Sequence, residues 1–260
     1  MKIGVCVKVV PDTDTRIKIG GDGASIEENG IKWIVSPYDA FAVEEGVQTK
    51  EAQSGEVVLF SVGPKAWQTQ LRAGGLAVGA DKAVIVDDPA MGGADGLGVA
   101  KALSAAAKAE GVEVLFAGKQ AIDDDNVQVP AMIAELLNWP LVSFVSDLNI
   151  EGQSFTATRN VGGGTQEVVT GSLPAVFTAD RGLNSPRYAK LPAIMKAKKK
   201  PVDVKALADI GLSDADVAAA VQVKSLSLPA ERAAGRMLEG DVDAMVNELA
   251  RLLREEAKVI

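Results

Sequence analysis

Asp123-Asp124-Asp125-Asn126, followed by Val127-Gln128-Val129-Pro130-Ala131, has the spacing best suited to binding chemistry in this 260-residue chain. The run before it, Val112 to Ala117, is apolar and reads as a buried strand ended by Gly118. The run after it carries Met132, Ile133, Leu136 and Leu137 on one helical face. Asp125 or Asn126 is placed to cap that helix, and Pro130 fits only near its start. A strand end, a polar loop and a helix N-terminus therefore meet. In an open α/β sheet ligands sit at such a point. Free backbone N–H groups and the helix dipole there suit a phosphate. The competing reading is a capped helix with a solvated acidic loop, because three aspartates facing a phosphate would repel it. Pattern alone does not separate the two.

The rest of the composition narrows the chemistry. There is no histidine, which excludes a histidine base or metal ligand. Cys6 is the single cysteine, so the chain forms no internal disulfide, cysteine zinc site or iron–sulfur cluster of its own. It lies in an apolar strand pattern and reads as a small core residue. A net charge of −8 argues against nucleic acid. No leader and no run of transmembrane length is evident, so the expectation is a soluble protein of a reducing compartment, most simply the cytoplasm, without direct membrane insertion.

Positioning such a site falls to an alternation of strands and helices. Lys2 to Val10 reads as one central strand. Gly20 to Gly23 is a turn. Ser36 caps a helix through about Gln53, with Pro37 first and Ala40, Val43 and Val47 inward. Glu56 to Val62 is a second strand, Lys65 to Val78 a helix, Ala83 to Val86 a third strand and Asp95 to Glu110 a third helix. Four such repeats imply a parallel sheet with right-handed crossovers. After Pro140 shorter strands follow at Phe155–Arg159, Glu167–Thr170 and Ala175–Thr178, with a turn at Gly162 to Gly164. Residues 187–201 are basic. Residues 201–240, including Leu228 to Gly235, read as a long, weakly structured connection lying along a partner. An amphipathic helix from about Asp241 to Ala257 closes the chain.

Several strings together resemble the β subunit family of electron-transfer flavoprotein, end to end. They are VCVKVVPD near the start, SPYDAFAVEE at 36–45, GKQAIDDD at 118–125, LPAVFTAD at 173–180 and RYAKLPAIMKAKKKP at 187–201. The resemblance implies an adenine-nucleotide hydrolase-like, Rossmann-like α/β domain over 1–186 with a small β addition. It also implies a partner-recognition loop at 187–200, and an arm at 201–260 ending in a helix on the alpha subunit. It further implies a heterodimer in which the alpha subunit holds most of the FAD while this chain holds AMP. The AMP residues would be Cys6 and Val62, through their backbone, then Ser36, Pro37, Tyr38 and Asp39, and the segment from Asp125 to Leu136, including Asn126, Val127, Gln128, Val129, Pro130 and Ala131. The amides of Val127, Gln128 and Val129 are expected in the first helical turn. Tyr38 matches an aromatic that approaches the flavin, and Thr13 a position near it.

Leu191 matches the residue that inserts into an apolar pocket on a partner dehydrogenase, with Ile194 and Met195 beside it. The lysines, Lys196 and Lys199 among them, would steer acidic partners, and those two match positions methylated in some relatives. By resemblance the donors are acyl-CoA dehydrogenase-type flavoproteins and the acceptor is a membrane quinone oxidoreductase, with no catalytic residue in this chain. Departures exist. Asn160 and Gly162 stand where the family often has an acidic pair that helps hold the mobile FAD domain. Pro130 replaces a common glycine, removing one amide near the phosphate. Two alternatives stay open: an electron-bifurcating relative with a second FAD in place of AMP, and an adenine-nucleotide-dependent enzyme of the same fold. For the latter, Gly92-Gly93-Ala94-Asp95-Gly96 is the nearest phosphate loop and lacks a basic residue.

Overall fold

The structure is a computed structural model that describes residues 1–230 and 234–260. Positions 231–233 of the Leu228–Gly235 stretch lie outside the described residues. The first strand, β1 (Lys2–Cys6), is shorter than the apolar run promises. The Lys8 N–H donates to the Asp39 carboxylate at 2.7 Å instead of continuing a ladder. The chain resumes as β2 (Val9–Pro11), which pairs antiparallel with β3 (Trp33–Val35) in a separate ribbon. Helix α1 (Pro37–Gln53) starts at the expected proline. Its inner face is Ala42, Val43, Gly46 and Val47, while Ala40 is only half-buried.

Strand β4 (Glu56–Val62) leads into a composite helix rather than a regular one. A 3-10 turn at Lys65–Trp67 runs into α2 (Gln68–Leu71) and then a π turn at Arg72–Leu76. A Cβ on Gly75 would collide with the Leu59 side chain, so bare backbone lies directly on the sheet. Then come β5 (Lys82–Val86), α3 (Gly96–Glu110), β6 (Val114–Gly118) and α4 (Val129–Leu137). They are followed by β7 (Leu141–Glu151), β8 (Ser154–Gly162), β9 (Thr165–Ser172) and β10 (Ala175–Ala179). The short helix α5 (Leu191–Ala197), the strand β11 (Val202–Lys205) and the helix α6 (Val242–Glu255) complete the chain.

Nine strands form one sheet in the order β11-β5-β4-β1-β6-β10-β7-β8-β9. It is parallel from β11 to β7, and β8 and β9 extend it antiparallel. This extension is the small β addition, and its strands are longer than expected. The chain from β1 runs outward through β4 and β5, then crosses back by α3 to β6 on the other side of β1. The two faces have separate cores. Ile3, Val5, Val57, Leu59, Phe116 and Phe177 meet α1 and the composite helix. Val58, Phe60, Val84, Leu115 and Val176 meet α3 and α4. Alternation along each buried strand supplies both faces at once.

Residues 201–217 do not form a loose connection. Strand β11 pairs parallel with β5, and 3-10 turns at Leu207–Ile210 and Asp214–Val217 bury Leu207 and Val217 in the α3 face. From residue 218 on, the described residues of the arm are largely exposed.

Candidate functional site

A cleft of about 980 Å³ opens at the carboxyl ends of β1, β4 and β6. That is where strand order reverses, with the α1 crossover on one face and the α3 crossover on the other. Such a reversal splays the loops apart and leaves a crevice. Its floor includes Cys6, Val62, Ala117 and Gly118.

Asp39 ties the floor together. It sits in the first turn of α1, buried, and accepts from Lys8 N at 2.7 Å and Gly118 N at 3.0 Å. One carboxylate thus joins the ends of β1 and β6. A Cβ on Gly118 would lie 2.5 Å from the Asp39 Oδ1, so only glycine lets α1 approach this closely. Burial pushes the Asp39 carboxyl up to about 7, against the two amide bonds that favour its charge. Burial, helped by the Asp39 charge, likewise raises the Cys6 thiol far above its usual range, which keeps it an inert thiol.

The acidic loop is not aimed at the cleft as bare charge. Lys8 Nζ bridges Asp123 at 2.8 Å and Asp124 at 2.9 Å. Burial alone would lower the Lys8 ammonium, but the two carboxylates outweigh it and hold it protonated. Asp125 accepts from Gln120 Nε2 at 2.6 Å. On the opposite wall, Asp88 caps a 3-10 turn through Ala90 N, and Asp95 caps α3 through Leu97 N and Gly98 N. These acids hold backbone amides.

The two helix N-termini facing the cleft therefore differ. Helix α3 is closed by Asp95. Helix α4 has Gln128 at its N-cap and no side-chain cap, contrary to the expectation for Asp125 or Asn126. The loop explains this: Asp125 and Val127 both adopt left-handed backbone, φ +49° and +54°, which turns the Asp125 carboxylate toward Gln120. The helix starts at Val129, so Val127 and Gln128 precede the first turn rather than lie in it. Among the described residues neither their amides nor those of Val129 and Ala131 find a side-chain acceptor, and Val127 and Gln128 find no backbone one. Gln128 reaches toward the α3 start, its Oε1 3.4 Å from where a Cβ on Gly96 would stand. Ser36 occupies the N-cap of α1, yet its hydroxyl makes no cap and is buried without a partner.

Of the sequence-derived residues, the cleft gathers Cys6, Asp39, Val62, Asn126, Val127, Gln128, Val129 and Pro130. Ser36, Pro37, Tyr38, Asp125 and Ala131 do not line it, and Ser36 is fully buried. The sequence reading omits Lys8, Trp33, Trp67 and Gln70. The Trp33 and Trp67 rings stand 5.8 Å apart, and the buried Gln70 Oε1 has no partner. Gly63-Pro64, ending β4 beside Trp67, is the only sequence signal pointing that way.

Tyr38 faces a second cluster, away from the cleft. Lys119 Nζ lies 4.9 Å from the Tyr38 ring centroid and 5.7 Å from that of Phe144, and it pairs with Asp180 at 2.7 Å. Asn160 Nδ2 donates to the other Asp180 oxygen at 3.2 Å. Phe144 sits in β7 at φ +57°, a conformation that costs a bulky residue energy. Leu191, Ile194 and Met195 are exposed on α5, and Lys196 and Lys199 flank its end.

A family model described as "Electron transfer flavoprotein domain" matches residues 24–210. Curated relatives named "Electron transfer flavoprotein subunit beta" align along nearly the whole chain. The Bradyrhizobium diazoefficiens protein is 42% identical over 261 residues, covering 100% of both chains. The Mus musculus protein is 40% identical, covering 95% of this chain and 97% of its own. The Bacillus subtilis protein is 36% identical, again covering 100% of both. With that agreement over this fold and cleft, the chain belongs to the electron transfer flavoprotein family, as a beta subunit.

Proposed function

We infer that this chain binds AMP in the β1/β6 cleft and completes, on its Tyr38 side, an FAD site held mainly by the alpha subunit. Electrons arrive from acyl-CoA dehydrogenase-type flavoproteins and leave to a membrane quinone oxidoreductase, in the cytoplasm. No helix among the described residues is long and apolar enough to cross a membrane. The observation that carries the AMP reading is the uncapped start of α4, with the unpartnered amides of Val127 and Gln128, at the reversal of strand order. Backbone donors and the positive end of the helix dipole suit a phosphate there. Trp33 and Trp67, which line the cleft, offer a π face for a base.

The residues also fit a flavin at the second cluster. Tyr38 and Phe144 offer aromatic rings, and Lys119, anchored by Asp180, holds a fixed cation over both of them. Bound FAD supplies the redox chemistry, taking up and releasing electrons. This chain's residues do the rest. Asp39 fixes α1 against β6, which sets where Tyr38 stands. Asp180 holds Lys119 protonated: burial would lower that lysine, and the ion pair outweighs it. Leu191, Ile194 and Met195 meet the donor, and Lys196 and Lys199 draw acidic surfaces toward it.

A second reading is favoured by size. At about 980 Å³ the cleft lies near the top of the range for small-molecule sites, roughly 300–1,000 Å³, which leaves room for a dinucleotide. Purifying the heterodimer, releasing its small molecules by heat and counting FAD and AMP tests both. One of each supports the carrier. Two FAD and no AMP support the bifurcating reading. Neither nucleotide in a stable complex overturns both.

A further inference from the structure

Resting on the reading of residues 187–200 as the recognition segment, we propose that Arg187 is a positioning residue for partner recognition. Together with Arg72 and Lys200 it clamps that segment at both ends, so that its docking shape exists before a dehydrogenase arrives.

The first clamp is on α1. Arg187 spreads its guanidinium over two carboxylates. Nε lies 2.9 Å from Glu44 Oε2 and Nη2 2.9 Å from Glu44 Oε1, while Nη1 and Nη2 reach Glu51 at 2.7 and 3.0 Å. Its own backbone N–H also donates to Glu44, at 3.1 Å. The Glu44 side chain is only 4% exposed. Burial pushes its carboxyl up, but the Arg187 hydrogen bonds outweigh that and keep it ionised. Just upstream, Asn184 Nδ2 bonds Phe41 O and Glu45 on the same helix.

The second clamp is on the composite helix. Arg72 Nη1 donates to Ala197 O at 2.6 Å and to Lys200 O at 2.9 Å. Lys200 Nζ returns to Leu76 O at 2.9 Å and to Ala80 O. Ala197 is buried.

Between the clamps the chain does the opposite. Tyr188 is 96% exposed, Leu191 74% and Met195 55%. Large apolar side chains are thus held out in water on a backbone fixed at both ends. A free loop would lose its conformational freedom on docking, and that loss would weaken binding. Here the fold bears it in advance. The two-carboxylate fork also requires arginine, since a lysine ammonium cannot span both groups in one plane.

The experiment uses the whole heterodimer and an acyl-CoA dehydrogenase reduced with its own acyl-CoA. Arg187→Gln is expected to raise the KM for the heterodimer about tenfold, the scale of ordering one or two side chains, with kcat at saturation unchanged. Amide exchange should quicken across 188–197 and nowhere else. Glu51→Gln, which leaves the buried Glu44 pair intact, should shift both readouts the same way by less, and Arg187→Lys should fall between. Leu191→Ala should raise KM without altering exchange. If Leu191→Ala raises KM while Arg187→Gln and Glu51→Gln leave KM and exchange at wild-type values, the clamp is overturned. If neither Leu191→Ala nor Arg187→Gln moves KM, or wild type accepts no electrons, the recognition reading fails and the exchange arm alone decides the clamp. Should Arg187→Gln not fold, Glu51→Gln and Arg72→Gln carry the same test.

Discussion

Val127 holds a backbone conformation that a β-branched residue does not favour. A β-branched residue at φ +54° costs about 1–3 kcal/mol, and nothing buried rewards it, since the side chain is 40% exposed. What the conformation does achieve is to lead an open pair of amides into the start of α4. Val127→Gly is therefore expected to raise the stability of the free chain by about 1 kcal/mol, after the entropy cost of glycine. AMP retention should fall, because the loop is no longer held in the binding shape. Thermal melts and AMP content of the purified heterodimer measure the two effects. A destabilised variant with full AMP would remove the strain argument. Asp39 makes a separate prediction. In the folded chain its carboxyl holds a proton up to about pH 7, while in the unfolded chain it releases it near pH 4. Between those values the folded state binds the extra proton, so this group's contribution to stability falls as pH rises from about 4 to 7, then levels off. The facing groups are the Lys8 and Gly118 amides, with Lys8 and Asp123 as nearby charges. Asp39→Asn should flatten that slope in denaturant titrations at a series of pH values. An unchanged slope would assign it elsewhere.

At the scale of elements, the α/β alternation was legible because its strands are buried on both faces and its helices begin at strong signals. Pro37 and Asp95 start α1 and α3 where the sequence places them. Strand β7 was not legible. Its alternation is broken by Phe144 at positive φ and by a register shift between Val145 and Asp147. Nor was β11, a four-residue strand directly after a lysine run and a proline, whose only reason to be a strand is the edge of β5. The site was legible in part for the same reason. The start of α4 has a local pattern, whereas Trp33 meets Trp67 only through the fold. Asp95 shows how such long-range order is held. It caps α3 and also accepts from Ala220 and Val221 N, at 2.8 and 3.2 Å, 125 and 126 residues away. Asp95→Ala is expected to cost about 1–2 kcal/mol, the value of a lost N-cap, and to open the arm near residue 220 to protease. Limited proteolysis beside a denaturant melt separates the two. A stability loss with no new cleavage would mean that the arm is held without Asp95.

At the scale of the molecule, the chain divides between what its own core explains and what it does not. The sheet and both helical faces account for residues up to Val217, the last well-buried side chain before the arm. Beyond it, Val221, Val223 and Leu228 are exposed. Helix α6 has no buried residue, although Val242, Val246 and Leu249 line one side of it. Arg251 bonds Glu248 and Glu255 on the helix, which adds only tenths of a kcal/mol per pair. A helix of 14 residues without a packed face is marginal in water. Its apolar stripe would gain stability against another surface, and in the function proposed above that surface is the alpha subunit. Truncation after Gly240 should therefore leave the melting temperature of the free chain within about 1–2 °C of wild type, since almost no buried area is removed. The same truncation should sharply reduce recovery of the heterodimer by co-purification. Restoring the helix with Val242, Val246 and Leu249 all changed to Ser tests the apolar stripe itself, because it returns the length and the charges without the contact. Recovery of the heterodimer with that variant would show that α6 serves as a spacer, and failure would place the apolar face in the interface.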